Sequence, residues 1–262
     1  MSESRITMVD DDDPEMQAAY EQARSTFRYF WREVSWERRR IVPGLDLAAV
    51  KAPFSDGAQA APKGNPSVEQ MWMGDIDFDG RTVHGSLLNS PNWLRTVKAG
   101  DAVSIPLGRI TDWMYAIGGE VYGAFTVQAI RAGMDPRERK EHDSAWGLSF
   151  GNPSKVRVVP EGPNWFASGG ADGEHPMSEA MGPSLKEQLD GDPSMVRSRD
   201  ERGWTFLHQL SLAGSAAAVR LLLEAGADPN AKAHDGTMPL QLARSLKWQR
   251  VIDLLTKHGA KG

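Results

Sequence analysis

The sequence predicts an α+β protein: an N-terminal helix with a curved antiparallel sheet (a partial barrel), followed by a short all-α array of stacked repeats. Three observations carry this. Apolar residues recur every three or four positions between 13 and 34. Two glycine-centred turn signals, at 79–80 and 118–119, lie between stretches of alternating apolar and polar residues. From 203 onward, the chain repeats itself at a fixed interval.

The helix comes first. Asp13 is placed to cap it, Pro14 suits its first position, and Glu15 complements the exposed amide groups of its first turn. Met16, Tyr20, Ala23, Phe27, Phe30, Trp31 and Val34 then mark one apolar face, which reads as core packing. The run "ERRR" at 37–40 reads as a solvated face.

Residues 53–67 are rich in Ala, Gly and Pro and read as a loop. In "MWMGDIDFDGRTVHGSLLNSP" (71–91), a two-residue Asp79-Gly80 turn sets Ile76 against Val83, Gly74 against Gly85 and Trp72 against Leu87. "AVSIPL" (102–107) is a further strand. A second hairpin spans 109–130 and turns at Gly118-Gly119. Its pattern sets Ile110, Met114, Val121, Phe125 and Val127 on one face. Thr111, Trp113, Tyr115 and Tyr122 fall on the other, where cover by the N-terminal helix is expected. Asp112 then falls on the apolar side, so either the register slips or the carboxylate is buried with hydrogen-bond partners. A short helix follows near 134–143.

This gives a head over 8–160. A Gly/Pro-rich linker over 161–182 carries Trp165 and Phe166, which suggest an anchored contact. The repeat array occupies 183–262.

In the array, Gly203 and Gly236, Leu207 and Leu240, Leu222 and Leu255, Gly226 and Gly259, and Ala227 and Ala260 are each 33 residues apart. With "GWTFLH" and "VRLLLEAGADPNA", this period resembles the ankyrin repeat, a turn followed by two antiparallel helices. A second copy runs over 236–260, and 183–200 reads as a half-repeat cap. Phe206 stands where the motif has Pro; Gln241 replaces the motif His, and Lys247 a common Gly. So short an array needs support from the rest of the chain.

The ankyrin resemblance implies a protein-binding surface at turn tips and exposed first-helix positions. In this sequence these are Glu201, Arg202, Trp204, Leu212, His234, Asp235, Thr237, Ser245 and Leu246. Trp204 and Leu212 are apolar at positions expected to be exposed. They would serve either as anchors for a partner or as contacts to the chain's own head.

In the head, "SLLNSP" and "GDAVSIPLGRITDWMY" place Asn89, Pro91, Gly100, Asp101, Ile110, Asp112 and Trp113 in a pattern that resembles the bacterial domain-of-unknown-function 2314, or YegJ-like, family. The resemblance spans roughly 10–160. It implies no catalytic residues, and some members look like immunity or interaction proteins.

Composition narrows the function classes. The chain has 262 residues and no cysteine, which excludes disulfides, Cys-ligated zinc, iron–sulfur clusters and a cysteine nucleophile. Residues 183–262 hold 11 Lys and Arg against 9 Asp and Glu, and 1–182 hold 19 against 26, so 1–182 carries −7 and the tail +2, which gives the net −5. An acidic head argues against nucleic-acid binding. No secretory signal or apolar membrane span is read in the sequence, so a cytoplasmic protein is expected.

Catalytic and metal signatures are weak. "DIDFDG" (75–80) begins like a calcium loop, but Ser86 stands where an acidic twelfth ligand is needed. Glu141, His142 and Asp143 are adjacent, and neighbouring helix residues do not converge. No cofactor, metal or catalytic residue is assigned. Asp112, Trp113, Tyr115 and His84 are kept as a possible head-domain site.

The function expected is therefore non-catalytic protein binding in the bacterial cytoplasm, through the ankyrin turn tips and a groove between head and tail. One alternative is an immunity protein neutralising a toxin. The other is a small-ligand binder or enzyme using a head-domain pocket near Asp112.

Overall fold

The computed structural model describes residues 13–57, 68–161 and 170–261. Trp165 and Phe166 lie outside the described residues. The chain divides into two compact units: residues through Phe30, 42–78 and 82–158 form the first, and 31–41, 79–81 and 159 onward form the second.

Helix α1 (Pro14–Glu37) begins as its cap residues dictate, with Asp13 Oδ1 accepting from Glu15 N at 2.8 Å. All seven residues of its apolar stripe are buried. Six strands follow: β1 (Leu47–Phe54), β2 (Glu69–Phe78), β3 (Thr82–Leu87), β4 (Ala102–Pro106), β5 (Asp112–Ile117) and β6 (Glu120–Gly123). They form one open antiparallel sheet in the order β4-β3-β2-β1-β5-β6. The outer side of β6 is not bare, because Ser149 O accepts from Val121 N at 2.9 Å and Arg157 O from Gly123 N at 2.8 Å.

Strand β1 has no counterpart in the sequence reading, which gave a loop over 53–67 and no strand before it. Its sequence, LAAVKAPF, lacks alternation, is poor in β-branched residues and contains a proline. The proline is tolerated because the pairing of β1 with β5 stops at Lys51↔Asp112. Pro53 therefore meets a neighbour on one side alone.

The first hairpin also departs from the simple turn. Phe78 pairs with Val83 and Asp77 with His84, so the loop is longer than two residues. Between Gly74 and Asp77 the register slips by one at a bulge where Asp75 has φ 52°. Met71 and Met73 before the bulge and Ile76 and Phe78 after it are thus all buried.

The second hairpin turns at Gly118-Gly119 as expected, with Ile117 opposite Glu120. It does not continue as a strand to 130. The chain leaves the sheet at Gly123 and Ala124, both at positive φ, and forms α2 (Phe125–Ala132). A second short helix, α3 (Pro136–Trp146), starts at an Asp135–Glu138 capping box.

The first unit has a core on each sheet face. On one, Phe27 and Phe30 of α1 meet Phe78 and Trp113 at ring separations of 5.2 and 5.7 Å, and Trp113 Nε1 donates to Ala23 O at 2.8 Å. Tyr115 continues this stack between Trp113 and Tyr122. On the other face, Ala49, Met114, Ala116 and Val121 pack with Val127 of α2 and Phe150.

The second unit contains α4 (Pro176–Gly191), α5 (Phe206–Leu212), α6 (Ala216–Glu224), α7 (Pro239–Ser245) and α8 (Gln249–Lys257). The span read as linker is helical from Pro176 onward, because His175 caps α4 by accepting from Met177 N at 3.1 Å and Pro176 fits the first position. The pairs α5/α6 and α7/α8 are the two copies inferred from the 33-residue period. Trp248 Nε1 joins them by donating to Leu212 O at 3.0 Å. Residues 31–41 and 79–81 complete this unit. Arg39, expected on a solvated face, donates to Gln209 Oε1 at 3.2 Å and lies over Phe206 at 5.7 Å. Burial, reinforced by the Arg38 charge, lowers its pKa to about 10.

Candidate recognition surface and buried polar centres

The turn tips of the array are built from short polar side chains that bond their own backbone. Asp200 Oδ1 accepts from Arg202 N at 3.0 Å and Trp204 N at 2.8 Å, while Oδ2 accepts from Gln209 Nε2 at 3.2 Å. In the next turn, Asp235 accepts from Thr237 N and Oγ1 at 2.9 and 2.8 Å. The backbone bond from Thr237, joined by its hydroxyl, holds the Asp235 carboxyl below the ordinary range.

The two tips are tied together. Arg199 Nη1 donates to Gly203 O at 2.6 Å and Lys232 O at 2.7 Å, and His234 N donates to Arg202 O at 3.0 Å. A surface fixed this way loses little conformational entropy when it meets a partner. Glu201, Arg202, His234, Asp235 and Ser245 are exposed on it, and Thr237 is half-buried.

Three residues expected to be exposed there are not. Trp204 is 5% exposed, Leu212 0% and Leu246 5%. The Trp204 ring is stacked on His208 and covered by the Arg202 guanidinium 4.6 Å above it. Leu212 gives its carbonyl to Trp248 in the interior of the array. These apolar side chains belong to the core of the second unit, and the accessible tip surface is polar.

His208 shows why the motif places an imidazole there. Its Nε2 lies 3.2 Å from Thr237 O, an acceptor, so Nε2 carries the proton. Nδ1 then accepts, with Thr205 N at 3.1 Å and Thr205 Oγ1 at 2.8 Å. One ring thus caps its own helix and bonds the following turn. Burial is the main cause that lowers its pKa. Gln241, at the same place in the second copy, keeps the capping half alone, accepting from Met238 N at 2.9 Å.

In the first unit, Asp112, Trp113 and Tyr115 are fully buried, so they form no accessible pocket. Asp112 Oδ1 accepts from Trp113 N and Phe125 N at 2.8 and 2.9 Å. Oδ2 accepts from Thr126 N at 2.8 Å and Thr126 Oγ1 at 2.6 Å. The carboxylate caps the start of α2 from outside the helix, in place of Ala124, which has no side chain able to do so. Lys51 Nζ donates to Thr126 Oγ1 at 3.3 Å and completes the chain. Burial pushes the Asp112 carboxyl up; the Thr126 hydroxyl, the Lys51 charge and the backbone donors pull against it. His84 stands apart, half-buried, with Nδ1 2.8 Å from Ser104 Oγ.

A further polar centre went unread in the sequence. Arg32 and Glu33 are both 1% exposed, as is His175. Arg32 Nη1 donates to Ala171 O and Gly173 O at 3.1 and 3.2 Å, and His175 Nε2 lies 3.2 Å from Glu33 Oε2. Since His175 Nδ1 accepts from Met177 N, the proton sits on Nε2 and points at Glu33. Trp36 stacks on the imidazole at 5.6 Å. The available signal was two charged residues between Trp31 and Val34 of the apolar stripe.

Among the described residues, no three His, Asp or Glu side chains converge as metal ligands, and no helix is long and apolar enough to cross a membrane.

The family model described as an uncharacterized protein conserved in bacteria (DUF2314) matches residues 13–150, and the ankyrin-repeat model matches 202–234. A Neisseria meningitidis serogroup B protein described as an ankyrin repeat protein is 41% identical over 259 residues, covering 97% of this chain and 98% of its own. The uncharacterized protein YegJ of Escherichia coli K12 is 29% identical over 85 residues, 32% of this chain and 50% of its own. An ankyrin repeat-containing protein of Treponema pallidum is 41% identical over 61 residues, 23% of this chain and 20% of its own. The first unit's helix-and-sheet architecture and the α5/α6 helix pair thus fall where two separate families match, and the chain belongs to the DUF2314 family, with an ankyrin repeat following that domain.

Proposed function

We propose that this chain is a non-catalytic protein-binding protein of the bacterial cytoplasm whose partner is read by the ankyrin turn tips. The observation that supports this most directly is the pair of turns carrying Glu201, Arg202, His234 and Asp235. These side chains are exposed while the backbone beneath them is fixed by Asp200, Asp235 and Arg199. A rigid, mixed-charge surface gives specificity through charge complementarity.

Immunity against a toxin is one form this binding would take, with the acidic charge of 1–182 drawing a basic toxin. A catalytic or small-ligand role through Asp112 has no support, because that carboxylate is enclosed and both its oxygens are taken by Trp113, Phe125 and Thr126.

The test is capture from the native host by the full chain and by an Arg202→Glu, Asp235→Arg double variant, both shown to unfold at the same temperature. The reading predicts a discrete partner held by the natural chain and lost from the variant. Equal capture by both would remove the turn tips from recognition.

A further inference from the structure

The sheet of the first unit has two edges, and they are finished differently. Strand β6 is met on its outer side by Ser149 and Arg157. Strand β4 pairs with β3, and among the described residues no backbone group bonds its outer side. We propose that β4 pairs antiparallel with β4 of a second copy of this chain, making a two-fold symmetric dimer. The inference does not rest on the ankyrin reading.

The direction of each backbone group along β4 follows from the bonds at its start. Leu87 N donates to Asp101 O at 3.0 Å, and Gly100 N donates to Leu87 O at 2.8 Å. With Gly100 at φ 84°, this is a bulge opened by a left-handed glycine, and it ends before the strand begins. Backbone direction alternates along a strand, so Asp101, Val103 and Ile105 turn their bonding groups toward β3. Ala102 and Ser104 turn theirs outward, and both residues are exposed. Ser104 Oγ lies 2.8 Å from Nδ1 of His84, its opposite number on β3. Such close side chains are expected where an opposed pair exchanges no backbone bonds.

A second β4 fits this edge. Laid antiparallel with Val103 opposite Val103, each copy sets its Ala102 against Ser104 of the other. Ala102 N–H then donates to Ser104 O, Ser104 N–H donates to Ala102 O, and the two-fold axis repeats both bonds. Pro106, which has no N–H to give, falls beyond them. The valines at the axis form a pair without backbone bonds, about 4.5 Å apart at Cα, where side chains meet most closely. Val103 is half-buried and packs on the Met71, Leu87 and Leu94 cluster, so the valine pair extends that apolar layer across the seam. The strand AVSIP holds no charged residue, whereas edges kept from pairing commonly carry one. Asp101 precedes the strand and Arg109 follows it, so antiparallel pairing brings unlike charges toward each other at both ends.

The experiment is sedimentation of the full chain over a range of concentrations, with amide hydrogen exchange followed residue by residue at the two extremes. A species of twice the 28.8 kDa chain mass should form as the chain is concentrated. The Ala102 and Ser104 amides should slow as it forms, while those of Val103 and Ile105 are slow throughout. Ser104→Pro removes an outward N–H that β3 does not use, and should weaken the dimer about tenfold or more. Ala102→Pro, which leaves the Ser104–His84 contact in place, repeats the test if Ser104→Pro unfolds. A monomer at every concentration overturns the proposal. So does a dimer whose Ala102 and Ser104 amides exchange as fast as in the monomer, or one that the folded proline variant leaves intact.

Discussion

Asp112 and Thr126 are joined twice: Asp112 Oδ2 accepts from the Thr126 backbone N–H at 2.8 Å and from its hydroxyl at 2.6 Å. This pairing is where the chain leaves the sheet and begins a helix, fourteen residues on in sequence. Asp112→Ala would remove a helix cap and strand several buried donors, at a cost of about 3 kcal/mol or more. Asp112→Asn, which keeps one acceptor oxygen, should cost less. Urea unfolding of the three proteins checks this order. Stability unchanged in Asp112→Ala would contradict the structural role.

The His208 ring is neutral in the folded chain, with Nδ1 accepting and Nε2 donating. Its folded pKa lies below the ordinary value of 6.5. Below 6.5 the unfolded chain therefore binds a proton that the folded chain does not. The stability this residue contributes is present above pH 6.5 and is lost as pH falls through the lowered value, at no more than about 1.4 kcal/mol per pH unit. His208→Gln should be less stable at pH 7.5 and show a flatter profile between pH 7 and 5. Thermal unfolding at each pH measures both.

Lys247 sits at φ 56°, where Gly214 sits at 73° in the preceding copy. A left-handed lysine costs about 1 kcal/mol that a glycine does not. Lys247→Gly should raise stability by about that amount. Gly214→Ala should lower it by more, because an added Cβ would also strike the Trp248 ring. A destabilised Lys247→Gly would show that the left-handed lysine carries no strain.

Gly80 has φ 98°, and a Cβ there would come 2.7 Å from Leu242 Cδ2. Gly80→Ala therefore combines backbone strain with a steric clash and should cost about 2 kcal/mol. Trp204→Ala should cost about 3 kcal/mol or more, as expected for an indole removed from a core. Denaturant midpoints of both variants test these values.

What could be read in advance follows from how local each signal is. The α1 stripe, the Gly118-Gly119 turn and the 33-residue period need only neighbouring residues, and all three hold. The bulge at Asp75, the cap that Asp112 supplies to α2 and the support that lets Pro53 sit inside β1 depend on residues brought together from elsewhere. For Asp112 the sequence supplied the right tension, a carboxylate on an apolar face, but not the partner that resolves it. Trp204 and Leu212 show the opposite error. The motif sets their positions on the surface, yet both side chains are buried, Trp204 beneath the Arg202 guanidinium. The Glu33–His175 contact spans 142 positions, so the charged pair inside the α1 stripe could be seen but not its partner.

The most direct test of the central claim is site-specific photo-crosslinking in the native host. The crosslinker would be placed singly at Arg202, at His234, or at Arg220, an exposed position on α6 away from the tips. Recognition by the turn tips predicts one discrete protein adduct from Arg202 and His234 and none from Arg220. Adducts from Arg220 alone, or from none of the three, would contradict it.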